Sequence, residues 1–299
     1  MHTREEKLQA FGRLLDVQER LRKECPWDSK QTYESLRPNT IEEVFELCDA
    51  LMKDDRKEIC KELGDVMEHA VIYSVMGQET GDFDIADVCN HQADKLMFRH
   101  DFIDWRTSPD WIGDGGEPVE WTVSDPNLEI DGEGHVNYKG QGVAGTDNPQ
   151  TASQVESSWE QRKRQERDGN KTVLSGVPNA LPSLIKAYRI QDKARNVGFD
   201  WKRKECVWDK VREELAELEV ELAKGDEEKS TEELGDFLFS VINAARLYHL
   251  NPDNALESTN AKFIKRFTYI EKKAKELGKE LKEMTLEEMD KYWEEAKQL

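Results

Sequence analysis

The chain has 299 residues, with 43 Lys and Arg against 63 Asp and Glu and a formal net charge of −20. That length suffices for two domains with separate cores, and 35% charged residues with only 18 Gly and 9 Pro fit a helix-rich globular protein rather than a disordered or fibrous one. The acidic balance argues against binding to nucleic-acid backbones or anionic membranes, both of which need clustered Lys and Arg.

The start, MHTREEKLQAFGRLL, is charged and lacks the apolar core of a signal peptide. Helical periodicity predicts helices over 3–23, 40–53, 56–77 and 85–99. From 103 to about 150 the chain turns rich in Gly, Pro, Asp and Asn. There EWTV (120–123) and HVNY (135–138) alternate in polarity and are expected to pair as a small hairpin, the rest reading as loop. Helical patterning resumes at 154–168, breaks at SGVPNALP (175–182), and continues through 183–196, 207–224, 229–248, 253–277 and 285–298. The expected fold is all-α: helical-bundle domains at 1–102 and 173–299, joined by an irregular linker or insertion at 103–172 with a helix near 154–168. No run of about 18 apolar residues occurs, so no membrane span is expected, and a cytoplasmic location follows by default. The five cysteines form no C-x-x-C pair, which suits reduced thiols.

An internal repeat supports the division. IEEVFELCDALMKDDRKEICKELGD (41–65) aligns with REELAELEVELAKGDEEKSTEELGD (212–236). Adding 171 to Glu43, Glu46, Glu62 and Asp65 gives Glu214, Glu217, Glu233 and Asp236, so both copies read E-x-x-E, fifteen residues, E-L-G-D. Further on, Lys95 and Arg99 match Lys262 and Arg266 at an offset of 167.

Acids three apart share a helix face. Glu217 and Glu233 are each eight residues from Gly225, and Glu214 and Asp236 each eleven. In an antiparallel hairpin bent there, the four meet at two matched levels, about 12 and 16 Å from the turn. Packed helices about 8–10 Å apart let such carboxylates converge on a metal-sized space. The first copy is symmetric about Asp54 in the same way. Oxygen-only donors favour Mg²⁺, with Mn²⁺ as the alternative. The competing explanation, a solvated acidic face, is respectable for Glu43 and Glu46, which lie opposite Ile41, Val44, Phe45 and Cys48. On 233–247, however, Glu233, Asp236, Ser240 and Asn243 form one polar stripe on a helix otherwise apolar nearly all round. Such a helix is expected to be buried, and buried carboxylates need partners or cations.

These residues, with CPWDSKQTYESLRP (25–38), LSGVPNALPSLIKAYRIQDKARNVGFDW (174–201) and MDKYW (289–293), resemble the tandem-domain form of the MazG family of nucleoside triphosphate pyrophosphohydrolases. The resemblance implies an all-α, usually dimeric bundle with Mg²⁺ in the carboxylate cluster. It implies conversion of an NTP or dNTP, ATP among them, and water to the monophosphate and pyrophosphate. The family pattern puts the metal ligands on Glu214, Glu217, Glu233 and Asp236, with a second candidate set at Glu43, Glu46, Glu62 and Asp65. It puts phosphate and nucleotide contacts on Lys210, Lys229, Lys262 and Arg266, with Trp293 near the nucleotide. A metal-activated water attacking the α-phosphorus fits this set, with Glu213 or a ligand carboxylate taking its proton. The first copy has Asn39, Glu58 and Ile72 where the second has Lys210, Lys229 and Asn243, so activity is expected in the second. A di-iron bundle would need Glu-x-x-His pairs, absent from 41–77 and 211–247. A non-catalytic nucleotide-binding or signalling bundle is the alternative that the same acids allow.

Overall fold

The computed structural model describes residues 1–112, 118–140, 149–166 and 172–298. They form ten α-helices and two small antiparallel sheets of two strands each. The chain divides between Gly169 and Asn170 into two compact units. No described helix is long and apolar enough to cross a membrane.

Unit 1 begins with α1 (Arg4–Glu24), α2 (Tyr33–Lys53), α3 (Arg56–Thr80) and α4 (Ile85–Arg99). Helix α2 starts seven residues before the expected position 40. Thr32 and Ser35 form a reciprocal cap at its start, and Pro38 is carried inside the first two turns. The α2–α3 turn uses Asp54 in the left-handed region (φ 51°), and Asp55 caps α3. Leu36, Ile72 and Met76 form the buried core at this hairpin.

Strands β1 (Thr107–Ile112) and β2 (Pro118–Glu120) pair with each other, as do β3 (Leu128–Ile130) and β4 (Val136–Tyr138). The expected EWTV–HVNY hairpin is therefore wrong: Val136–Tyr138 pairs with Leu128–Ile130, and residues 121–124 form no strand. Local turn chemistry decides it. Asp131 Oδ1 accepts from the Glu133 and His135 amides (2.9 and 3.0 Å), closing a tight turn that joins β3 to β4.

Nor does this segment stand apart as a linker. Leu128, Val136 and Tyr138 share a core with Met97 and Phe98 of α4. Buried Asp94 accepts from the Ser124 amide (3.0 Å) and the Asp125 amide (2.7 Å). Helix α5 (Ala152–Gln165) joins through buried Arg162, which donates to Phe98 O (2.9 Å) and Asn137 Oδ1 (3.0 Å) over the Phe98 ring. The boundary expected at 102/103 thus falls inside unit 1. Residues 167 and 168 of the expected helix lie outside the described residues.

Unit 2 contains α6 (Ser183–Arg195), α7 (Val207–Lys224), α8 (Glu227–Leu247), α9 (Pro252–Glu276) and α10 (Leu286–Ala296). Gly225 turns α7 into α8 at φ 72°, and Asp226 caps α8, so the hairpin bends where the symmetry of the acids places it. Val207, Val211 and Ala244 make the buried contact between α7 and α8. The expectation that α8 is buried all round fails. Leu234, Leu238, Phe239 and Val241 are exposed, because the rest of the unit covers only part of its circumference. Ile41, Val44, Phe45 and Cys48 of α2 are exposed too.

A Cβ added at Gly225 would meet nothing within 4 Å, so only the backbone opposes a side chain there. Gly225→Ala is expected to lower stability by about 1 kcal/mol, and Asp54→Gly to raise it by up to about that much. Chemical denaturation of the full chain measures both.

Candidate active site

Each hairpin brings its acids together. In unit 2, one carboxylate oxygen from each of Glu214, Glu217 and Glu233 lies within 4.8 Å of the others. Glu214 is buried, Glu233 half-buried and Glu217 exposed. Asp236, one turn further along α8, stands outside this trio and is exposed. Partial burial, followed by the charges of Glu217, Asp236 and Glu214, pushes the Glu233 carboxyl above the ordinary carboxylate range. A donor set of crowded carboxylate oxygens suits a hard divalent cation, so the residues fit Mg²⁺ or Mn²⁺.

Lys210, one turn before Glu214 on α7, lies 2.7 Å from Glu214 Oε1 and donates to Glu213 Oε1 at 2.9 Å. The hydrogen bonds to Glu214 and Glu213 raise its pKa. Beside the acids opens a cavity of about 980 Å³, with Glu214, Asp236 and Lys210 on its wall. The remainder is largely apolar and aromatic, including Phe199, Trp201 and Phe239.

The other predicted nucleotide contacts do not line this cavity. Lys229 is exposed in the first turn of α8, where its amide bonds Asp226. Lys262 is exposed on α9. Arg266 sits 5.4 Å from the Trp293 ring of α10, which also packs on Phe263. The structure thus gathers Glu214, Glu217 and Glu233 with Lys210, leaves Asp236 outside that trio on the cavity wall, and keeps Lys229, Lys262, Arg266 and Trp293 off that wall.

The cavity also holds residues that the sequence reading did not assign. Arg246 is buried and donates to both oxygens of Asp200, at 3.1 Å for Nη1. Burial opposes charge on Asp200, but hydrogen bonds from Arg246 and from the Trp201 amide hold its carboxyl below the usual range. Arg246 Nε and Nη2 also donate to Asn243 Oδ1, at 3.1 and 2.9 Å. From α6, Gln191 donates through Nε2 to Phe239 O at 2.8 Å. Arg246 continues the α8 polar stripe three residues past Asn243, and Asp200 belongs to VGFDW; those were the available signals. Gln191 lies inside the 174–201 stretch that carries the resemblance, the same signal as for Asp200.

Unit 1 repeats the acids but not the room. Oxygens of Glu43, Glu46 and Glu62 come within 4.8 Å of one another, with Asp65 outside the trio. Burial, then the charges of Asp65, Glu46 and Glu62, raises the Glu43 pKa. Lys61 lies 2.7 Å from buried Glu62, on the hairpin-tip side, where a groove of about 560 Å³ is lined mainly by charged residues. On the side matching the unit 2 cavity only about 160 Å³ remains, between Trp27, Asn39, Glu43, Asp65 and Ile72. At the 171 offset, Ser240 becomes His69, Ala244 becomes Tyr73 and Val211 becomes Thr40. Thr40 Oγ1 binds both His69 Nδ1 (3.0 Å) and the Tyr73 hydroxyl (2.5 Å), and this larger network occupies the space.

Comparison with known proteins finds the same duplication at the level of the domain. The model of the MazG nucleotide pyrophosphohydrolase domain matches twice, at residues 31–103 and 203–270. A nucleoside triphosphate pyrophosphohydrolase of Escherichia coli (strain K12) is 33% identical over 294 residues, covering 96% of this chain and 97% of that protein. The nucleoside triphosphate pyrophosphohydrolase/pyrophosphatase MazG of Thermotoga maritima is 35% identical over 290 residues, 96% and 95% of the two chains. YabN of Bacillus subtilis, an uncharacterized protein, is 35% identical over 276 residues, 92% of this chain but 48% of its own length. Two copies of the domain and relatives matched end to end establish that the chain belongs to the MazG family of nucleotide pyrophosphohydrolases, hydrolases acting on acid anhydrides.

Proposed function

We propose that this chain is a Mg²⁺-dependent nucleoside triphosphate pyrophosphohydrolase whose activity resides in unit 2, with NTPs or dNTPs as substrates. The observation that carries this reading is the Glu214, Glu217 and Glu233 trio beside a cavity of about 980 Å³, a volume in the range of small-molecule sites. Bound by the trio with Asp236, Mg²⁺ would screen the triphosphate charge and acidify water. Water then forms a bond to the α-phosphorus while the bond from that phosphorus to the bridging oxygen breaks, and the electron pair leaves with pyrophosphate. Glu213, outside the trio and already within hydrogen-bond reach of Lys210, or a free oxygen of the trio, receives the proton. Lys210 orients Glu214 and presents positive charge to the phosphates from the cavity wall. Lys229, Lys262, Arg266 and Trp293 keep the nucleotide-contact roles that the family pattern gives them, reached from outside that wall.

The reading includes a homodimer. Leu234 and Leu238 on α8 and Phe263 and Ile264 on α9 are 45–63% exposed, more apolar surface than these helices would leave in water without a covering partner. Unit 1, with Asn39 for Lys210 and a pocket of about 160 Å³, is structural, weakly active or regulatory.

Glu233→Gln is expected to abolish pyrophosphate release and Glu62→Gln to leave most of it; the opposite pattern would move the activity to unit 1. Hydrolysis in ¹⁸O-water should label the monophosphate, whereas label confined to pyrophosphate rules out attack at the α-phosphorus. The raised Glu233 pKa gives a pH signature. Without cations, native protein holds that proton to higher pH than unfolded chain does, so its contribution to stability falls as pH rises through the native pKa. Mg²⁺ should therefore raise the melting temperature more at pH 8 than at pH 5, and less in Glu233→Gln at pH 8 than in the native chain.

A further inference from the structure

The two units carry the same basic pair and treat it differently. Lys95 and Arg99 lie in the last turns of α4, and Lys262 and Arg266 take the corresponding places on α9 at an offset of 167. Each arginine is set against a tryptophan from a later helix. The Arg99 guanidinium is 5.4 Å from the Trp159 ring of α5, and that of Arg266 is 5.4 Å from the Trp293 ring of α10. Arg266 has no acidic partner among the described residues, whereas Arg99 has one. Its Nε and Nη2 donate to the two oxygens of Glu166, at 2.9 Å for Nη2. Lys95, half-buried one turn earlier, has no ion pair among the described residues.

A planar guanidinium offers the same two-pronged donor edge to a carboxylate and to a phosphate. A carboxylate fixed within reach therefore takes the place that a pair of phosphate oxygens would occupy. Glu166 is fixed in that way. It follows directly on α5, which is held to unit 1 by buried Arg162 on Phe98 O and Asn137 Oδ1, bonds that do not involve Glu166. Only 11% of the Arg99 side chain and 19% of the Glu166 side chain are exposed, so salt screens the pair little. The match to the domain model ends at residue 103, so this carboxylate comes from a segment outside the duplicated domain.

We propose that Lys95 and Arg99 form a second pyrophosphate site, in unit 1, and that Glu166 occupies it as a built-in competitor. The proposal rests on the pyrophosphohydrolase reading for the class of anion. A ligand entering this site displaces a carboxylate tethered beside it, at an effective concentration on the order of millimolar or more. The site is thus closed to dilute pyrophosphate, although its two basic side chains are retained. Arg266, with no such competitor among the described residues, keeps its donor edge open.

The test is calorimetric titration of the full chain with inorganic pyrophosphate in the presence of Mg²⁺. The native chain is expected to bind one equivalent, in unit 2. Glu166→Gln, which removes the charge and leaves Arg162 to hold α5, should bind a second equivalent at least about tenfold more tightly than the native chain does. Glu166→Ala, which vacates the guanidinium altogether, should bind it at least as well. Adding Arg99→Ala to either variant should abolish the second equivalent and spare the first. No second equivalent in the folded Glu166 variants, or one that survives Arg99→Ala, would overturn the site and leave the ion pair as a brace for α5. Should both Glu166 variants unfold, the native chain decides. A weaker second equivalent at higher pyrophosphate, absent from Arg99→Ala, supports the site, and its absence overturns it. A first equivalent without a second strikes unit 1 alone. A native chain that binds none, beside a Glu166→Gln chain that binds one through Arg99, retires the unit 2 reading and keeps this site.

Discussion

Carboxylates repel, and three of them come within 4.8 Å in each unit only because a helical hairpin holds them there. In unit 2 the apolar contact of Val207 and Val211 with Ala244 locks α7 against α8, and the acids ride on that contact at fixed levels. Desolvation of the Glu233 carboxyl, followed by the charges of Glu217, Asp236 and Glu214, raises its pKa. Lys210 pairs with Glu214, whereas no ion pair to Glu217 or Glu233 is found among the described residues.

The two units divide one inheritance differently. Both keep an acidic trio and a left-handed residue at the hairpin turn, Asp54 in one and Gly225 in the other. What differs is the size of side chains lining the adjacent space. Small Ser240 and Ala244 leave a cavity in unit 2, whereas His69 and Tyr73 bind Thr40 and fill the corresponding place in unit 1. Unit 1 gains instead a mixed layer on α4, where Met97 and Phe98 are covered by the β3–β4 hairpin and Arg162 of α5 is buried among backbone carbonyls. Arg99, the counterpart of Arg266, donates to Glu166 at 2.9 Å.

Much of this could be read from the amino acids because helices announce themselves by period and cap. The α7, α8, α9 and α10 ranges follow the apolar repeat to within a few residues, and the bend falls at Gly225, the midpoint found by counting between the acids. Three features were hidden for identifiable reasons. Pro38 masked the Thr32–Ser35 cap and the first turns of α2. The Asp131 turn outweighed the polarity alternation that favoured a longer hairpin. The apolar circumference of α8 reports total hydrophobicity and not which neighbour covers it, so Leu234 and Leu238 were expected inside and lie exposed. Asp200, Arg246 and Gln191 escaped notice since their roles arise from contacts between distant segments, 46 to 48 positions apart.

The turn at Gly225 has a consequence that reaches beyond its own few atoms. Fifteen residues lie between Glu217 and Glu233, and each residue added to a helix rotates everything after it by about 100°. Lengthening or shortening α7 or α8 by one position near the bend would preserve every acid, every lysine and the helical content, yet swing Glu233 and Asp236 away from their counterparts. The count of residues between the paired acids is thus a mechanical gauge, and a neighbouring gene copy that keeps the letters but loses the count would carry a closed lock.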